Sequence, residues 1–340
     1  LYSNQLILIL IVYGLSLFQT NESVRRKGLH NPKLMFIIQL QLFIRQIISL
    51  CASEKDPQIF VYIGDFGYFY NTRVHLAAAA AFITFLGLIS QILHYLNYKN
   101  GIKPSYLKPL QMISGLVSPQ SIGLTNEEEI YKLVKVSKTL FVVIKIVSVV
   151  MFGNGFVFGF ATFIHNFSVK QFLMFGILHS ILWGFSCYYV ITIIVSNIVY
   201  YYIICYYLKL RIKAINDSIG NKLKSQTRVN INFIEIMNSF NEIYEEIHEY
   251  NTTYWSKYLF CLWISLVSII NFVAYPSIFG EMQFINRFLA SYVSVLFSTI
   301  LLKVIKTASL VFYETKKTYK LLNSCIPSLR RISETTRLKA

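Results

Sequence analysis

Apolar positions in this chain form long uninterrupted runs. Val74–Tyr98 contains no Asp, Glu, Lys or Arg, and neither do Ile146–Val169, Gln171–Leu208 and Tyr258–Gly280. A fifth run, Phe284–Val304, is interrupted near its ends by Arg287 and Lys303. A helix crossing the hydrocarbon core of a bilayer needs about 20 mostly apolar residues, so each run predicts a transmembrane helix. Gln171–Leu208 is too long for one crossing. At about 1.5 Å per residue it reaches roughly 57 Å, against a core of about 30 Å. It is predicted either to break or to continue past the membrane into the next aqueous layer.

Two earlier segments carry weaker signals. Leu34–Ala52 is long enough but holds Gln39, Gln41, Arg45 and Gln46. An Arg near mid-membrane costs about 2.5–3.5 kcal/mol on insertion scales, so Arg45 is expected to face protein or water. Leu6–Phe18 is uncharged but short. With it the chain has seven spans and an outside N-terminus; without it, six spans and an inside N-terminus.

Composition supports a membrane protein over a soluble one. Of 340 residues, 55% are apolar and 14% charged, and the mean hydropathy is +0.51. Soluble domains carry roughly 25% charged residues. The net charge of +16 is unevenly distributed: Lys and Arg divide 26 to 4 between alternate inter-span layers. The positive-inside rule puts the rich layers in the cytoplasm. Basic loops beside anionic lipid then account for the charge, and no nucleic-acid partner is implied. Five cysteines without a C-x-x-C motif suggest neither a disulfide framework nor a zinc site.

Between the spans the period changes. Phe233, Ile236, Met237, Phe240, Ile243, Tyr244, Ile247, Tyr250 and Tyr254 recur at three- and four-residue steps, the stripe of an amphipathic helix. Glu235, Glu242, Glu245, Glu246 and Glu249 occupy its other face. The inner leaflet would repel that face, so packing in a cytoplasmic bundle is expected. Phe312, Thr315, Tyr319, Leu322 and Ile326 suggest a second such helix ended by Pro327, with Lys316, Lys317 and Lys320 available to the acidic one. Lys103-Pro104 and Lys108-Pro109 read as turns, and Thr125 with Glu128 as a capping box. Tyr200–Tyr202 with Tyr206 and Tyr207 read as an interfacial belt. The fold class is therefore all-α, a polytopic transmembrane helical bundle with cytoplasmic helical extensions. Its expected parts are 1–205 (transmembrane, including most of the overlong helix 171–208), 206–257 (cytoplasmic), 258–305 (the last two spans) and 306–340 (cytoplasmic helix and tail).

Signals for catalysis are missing. The six histidines never pair at i,i+3 or i,i+4, and no nucleophile elbow, P-loop or dinucleotide fingerprint occurs. No enzyme activity, metal or cofactor is expected. The five strong runs hold no carboxylate, which disfavours proton-coupled transport. Gly155-x-x-x-Gly159 suits close helix approach. The predicted outer half of the bundle remains, and it is aromatic and weakly polar. Phe156, Phe160, His179, Trp183, Tyr275 and Tyr292 are the candidate ligand-binding residues, a mixture suited to a small, largely apolar ligand. Asn154, Asn197, Asn271 and Lys145 are candidates to join helices or line water.

This layout resembles the arthropod gustatory and odorant receptor superfamily. Gln171–Leu208 corresponds to an overlong fourth helix, and Phe233–Tyr254 and Phe312–Ile326 to the helices of the layer where subunits meet. Tyr250-Asn251-Thr252-Thr253-Tyr254-Trp255 is similar in character to the approach to the fifth span. The resemblance spans roughly residues 34–326 and is one of pattern. It implies a multi-pass plasma-membrane protein, a ligand-gated cation channel subunit for a tastant or odorant. It also implies homo- or hetero-tetramers formed through the cytoplasmic helices. The superfamily's Thr-Tyr signature in a pore-lining seventh helix has no counterpart, since Lys320 follows Thr318-Tyr319. The expectation is a fragment lacking that helix. A G-protein-coupled receptor with an extracellular N-terminus, or a transporter, stands as the alternative.

Overall fold

The computed structural model describes residues 22–52, 63–65, 70–102, 107–124, 126–224 and 233–337, so Leu6–Phe18, Lys103-Pro104 and Thr125 lie outside the described residues. Every regular element among them is helical: α1 (Glu22–Cys51), α2 (Arg73–Lys99), α3 (Leu107–Ile113), α4 (Glu127–Asn166), α5 (Ile177–Lys224), α6 (Phe233–Tyr250), α7 (Ser256–Phe279) and α8 (Phe284–Arg337). A 3-10 turn (Gln120–Ile122), one α-turn (Val169–Gln171) and two π-turns (Phe172–Gly176 and Asn251–Trp255) complete the set. Each of the five runs coincides, to within a few residues, with a helix long and apolar enough to cross a membrane, and the chain is a multi-pass membrane protein.

The chain forms two compact units. The first comprises Leu1–Pro104, Thr139–Ile198 and Thr253–Leu302. Within it α1 and α7 both pack on α2. The run Ala77–Ala81 makes α2 slim, and Ala77, Ala79, Ala80 and Ala81 are buried. Where α4 meets α5, the glycines set the spacing. A Cβ added at Gly155 would lie 2.7 Å from Cys187 Sγ, and one at Gly159 would lie 3.2 Å from Ser180 Cα. The predicted close approach is therefore present, because only a residue without Cβ fits. Phe260, Phe288 and Val295 point outward and are exposed, as side chains facing hydrocarbon do.

Polar side chains join the helices of this unit. Gln39 of α1 is buried and accepts a hydrogen bond from Gln91 of α2 at 3.2 Å. Asn197 of α5 donates to Ser90 Oγ at 2.7 Å and accepts from the Tyr254 hydroxyl at 2.9 Å. The His94 ring stacks on Tyr254 with centroids 4.6 Å apart. Asn197 thus joins helices as expected. Lys145 and Asn271 instead lie on the exposed surface.

The second unit comprises Ser105–Lys138, Val199–Thr252 and Lys303–Ala340. Glu246 of α6, expected on an open acidic face, is buried. It pairs with Arg211 at 2.6 Å and Lys108 at 3.3 Å, and accepts from the Tyr250 hydroxyl. The lysines of α8 were expected to pair with α6. Lys317 lies instead 3.9 Å from Asp217 of α5, and Leu321 and Leu322 of α8 pack against the cluster formed by Ile236 of α6 and Ile219 of α5. Burying apolar area outweighs exposed ion pairs worth about 0–1 kcal/mol.

The overlong run takes the second of its two expected courses: α5 continues for 48 residues, roughly 72 Å, more than one crossing needs. Several other boundaries differ from expectation. α8 passes through Pro327 to Arg337, since a proline removes one N–H and can bend a helix without ending it. Pro109 sits in the first turn of α3, where its missing N–H costs nothing, so no turn forms there. α4 is capped by Asn126, whose Oδ1 accepts from the Glu129 N–H at 3.2 Å. Tyr200 and Tyr207, read as part of an interfacial belt, are buried by protein.

Candidate functional site

A cavity of about 110 Å³ lies inside the first unit. It arises where small side chains of neighbouring helices converge. Ala79 and Ala80 of α2, Gly155 of α4 and Ala290 of α8 leave the space, and Phe158 and Trp183 wall it. Five helices contribute, α7 through Val273. Thr84, Asn154 and Ser186 are polar points on an otherwise mainly apolar wall, and no charged side chain lines it. The space is open on one side, and its uncharged, mainly apolar lining suits an uncharged molecule.

Of the six residues proposed from sequence, Trp183 stands on the cavity wall. Phe156 and Phe160 lie on the same helix as Phe158 but stack on each other at 5.7 Å, and Phe160 meets Phe172 edge-on. Tyr275 stacks on His75 at 4.5 Å and is 46% exposed, while Tyr292 is 39% exposed. His179 is buried, with Arg45 Nη2 3.4 Å from its Nδ1 and the Phe163 ring 5.9 Å away. The guanidinium of Arg45 therefore faces protein, as its cost in lipid requires. Gly64 makes room for both: a Cβ there would lie 2.6 Å from the His179 ring and 2.8 Å from Arg45 Nη2.

A buried polar triad lies beside the aromatic core of Tyr70, Phe163, Phe167 and Met282. The Asn286 amide of α8 donates to the Tyr70 hydroxyl and, at 2.9 Å, to Thr162 Oγ1 of α4. Tyr70 and Thr162 are themselves 3.1 Å apart. All three residues are buried. Interhelical hydrogen bonds in membrane bundles are worth about 0.6 kcal/mol on average and up to about 1.7. Asn286→Leu should therefore lower stability by about 1–2 kcal/mol. Thermal unfolding of the purified chain in nanodiscs checks this, and an unchanged midpoint would remove the triad from the account.

Among the described residues no group of three His, Cys, Asp or Glu could hold a metal ion. Cys51, Cys187, Cys205 and Cys261 are free thiols.

No protein-family model and no curated protein sequence matches the chain. Solved structures do. The insect olfactory receptor OR5 from Machilis hrabei superposes with a TM-score of 0.67 at 13% identity, covering 94% of this chain and 81% of the receptor. The fold is that of an insect olfactory receptor. A second structure of OR5, in complex with eugenol, gives a TM-score of 0.62 at 12% identity, over 95% of this chain and 98% of that one. The resemblance read from the pattern of spans and amphipathic helices is thus present in three dimensions.

The sequence reading missed the residues that make the cavity. Aromatic side chains suggested a pocket, yet here the void comes from what is small. The alanine run drew no functional reading within Val74–Tyr98, and Gly155 was read as a packing contact. The available signal was that Ala79, Ala80 and Gly155 fall on spans that must neighbour one another, facing the bulky Phe158 and Trp183.

Proposed function

We propose that the chain is a chemosensory receptor, a subunit of a ligand-gated cation channel in the plasma membrane. Its cavity takes a small, largely apolar odorant or tastant. The observation that carries this reading is an uncharged cavity among five helices on the fold of a receptor whose structure has been solved in complex with eugenol. The fold supports the channel reading over a G-protein-coupled receptor or a transporter. Exposed aromatic side chains on the second unit support assembly, as in the expected tetramer. Phe312 is 71% and Tyr319 67% exposed, with Tyr313 beside them. Phe312 and Tyr319 belong to the stripe read from sequence, and all three side chains lie open in the single chain. Such a patch suits a neighbouring subunit.

Whole-cell recording with a panel of volatiles of about benzene size tests the proposal. At least one should evoke a cation current. Ala80→Phe, which fills the cavity from α2, should raise the half-maximal concentration at least tenfold. Absence of any evoked current, or currents indifferent to the substitution, would overturn it.

A further inference from the structure

We infer that the lysine-rich ends of α4 and α5 hold the headgroup of a polyphosphoinositide lipid of the inner leaflet. Lys132, Lys135 and Lys138 of α4 bind it together with Lys209 and Tyr206 of α5. The site shares no residue with the cavity and does not depend on what the cavity takes.

The exposed face of α4 changes character along its length. The first turn carries Glu127, Glu128 and Glu129. From Ile130 to Lys138 every charged residue is a lysine, and Lys132, Lys135 and Lys138 are all exposed. One turn further on, Val142, Val143, Ile146 and Val149 are exposed, with Lys145 among them. Those apolar side chains face hydrocarbon, so the three lysines stand at the depth of the headgroups. Their positions cover about 9 Å along the helix axis, similar to the roughly 5–8 Å of headgroup layer on one side of a bilayer.

The glutamates at the start of α4 are engaged below this layer. Glu128 pairs with Lys132 at 2.6 Å on the surface, and Glu129 pairs with Lys213 of α5. The second pair fastens α5 to α4, and α5 adds to the site beside it. Lys209 Nζ lies 5.4 Å from the centre of the Tyr206 ring, and the Tyr202 ring packs on Tyr206 at 5.9 Å. The Tyr206 hydroxyl lies among the charges of Glu129, Lys132 and Lys213, which places it on the side of α5 that faces α4. Along α5 the first acid is Asp217, beyond Lys213. Toward the bilayer, then, the charge on both helices is of one sign.

That arrangement discriminates among lipids. A phosphatidylserine headgroup carries one net negative charge and answers one lysine. An inositol ring with two or three phosphates presents several anionic groups a few ångströms apart and answers the ammonium groups of both helices at once. Basic clusters immediately cytoplasmic of a span take this class of lipid. The Tyr206 hydroxyl adds a donor for a phosphate oxygen, and its ring lies at the depth where aromatic side chains favour the interface.

Native mass spectrometry of the full chain tests the inference, with short-chain phosphatidylinositol bisphosphate, short-chain phosphatidylserine and free inositol trisphosphate as probes. One molecule of the bisphosphate lipid should bind per chain, at least tenfold more tightly than either of the others. The double variant Lys135→Gln with Lys138→Gln should weaken it about 30-fold, roughly fivefold for each lysine. Lys135→Gln alone, the second variant, should give the fivefold step, with thermal unfolding to show that both proteins fold. Lys303→Gln with Lys306→Gln removes the same charge from exposed positions on α8 and should change binding less than threefold. Equal weakening by the two double variants would mean that any pair of inner-leaflet lysines suffices, and the site would be lost. Phosphatidylserine binding as tightly would remove the polyphosphate assignment, and free inositol trisphosphate binding as tightly would make the ligand a soluble one.

Discussion

Asp65→Ala should lower the stability of the folded chain by about 3–5 kcal/mol. Asp65 and Arg73 form an ion pair at 3.1 Å, with 3% and 9% of their side chains exposed. Arg73 also donates to the backbone carbonyl of Ser49, and Ser49 Oγ donates to the Asp65 carboxylate. The group fastens the end of α1 to the start of α2. Removing the carboxylate leaves a guanidinium buried without its counter-charge, and breaking a buried pair in this way typically costs 3–5 kcal/mol. The pair itself need not be strongly stabilising, because desolvation opposes the Coulomb attraction. The double variant Asp65→Leu with Arg73→Met should therefore recover most of the loss. Thermal unfolding of the three proteins in nanodiscs gives the comparison. A loss below about 1 kcal/mol in the single variant would show that the guanidinium finds water or lipid headgroups instead.

Glu246→Ala should cost about 2–3 kcal/mol within the second unit. Its carboxylate receives Arg211 at 2.6 Å, Lys108 at 3.3 Å and the Tyr250 hydroxyl, and its side chain is 6% exposed. Hydrogen bonds to charged groups are worth about 1.5–3 kcal/mol. Lys108 is 60% exposed and returns to solvent at little cost. Arg211 keeps the Tyr207 ring, 6.0 Å away, and the more distant, exposed carboxylate of Glu242 at 3.9 Å. Most of the loss therefore comes from Arg211 and Tyr250. Hydrogen exchange of α6 amides should speed up by roughly 30- to 150-fold, the same free energy read as an opening equilibrium. Exchange unchanged in α6 would mean that the helix is held by Ile236 and Ile243 alone.

How far the molecule could be read from its sequence depends on the kind of force involved. The five spans were legible because about 20 mostly apolar residues in a row, four of the runs wholly without charge, are a strong and local signal. Arg45 was rightly expected to face protein, since lipid penalises it wherever it stands. The α6 stripe was legible by its period, but Glu246 shares the helix with exposed Glu242, Glu245 and Glu249. Nothing local marks one carboxylate for burial; Arg211 and Lys108, distant in sequence, do so. The cavity was harder still. It is a property of five helices at one height, and depends on Ala79, Ala80, Gly155 and Ala290 lining that point and not a Leu. Aromatic composition therefore led to Phe156 and Phe160, which stack on one another, and only Trp183 reached the wall.

The π-turn at Phe172–Gly176 holds one residue more than an α-helical turn would at that place. It has a consequence for descent. Dropping one residue there would return the turn to regular α geometry while leaving His179, Trp183 and Cys187 pointing as they do. A chain one residue shorter between Ser168 and Ile177 would therefore keep Trp183, Ser186, Cys187 and Val190 on the cavity wall, and an alignment forced to be gapless across that point would misplace the rest of the span.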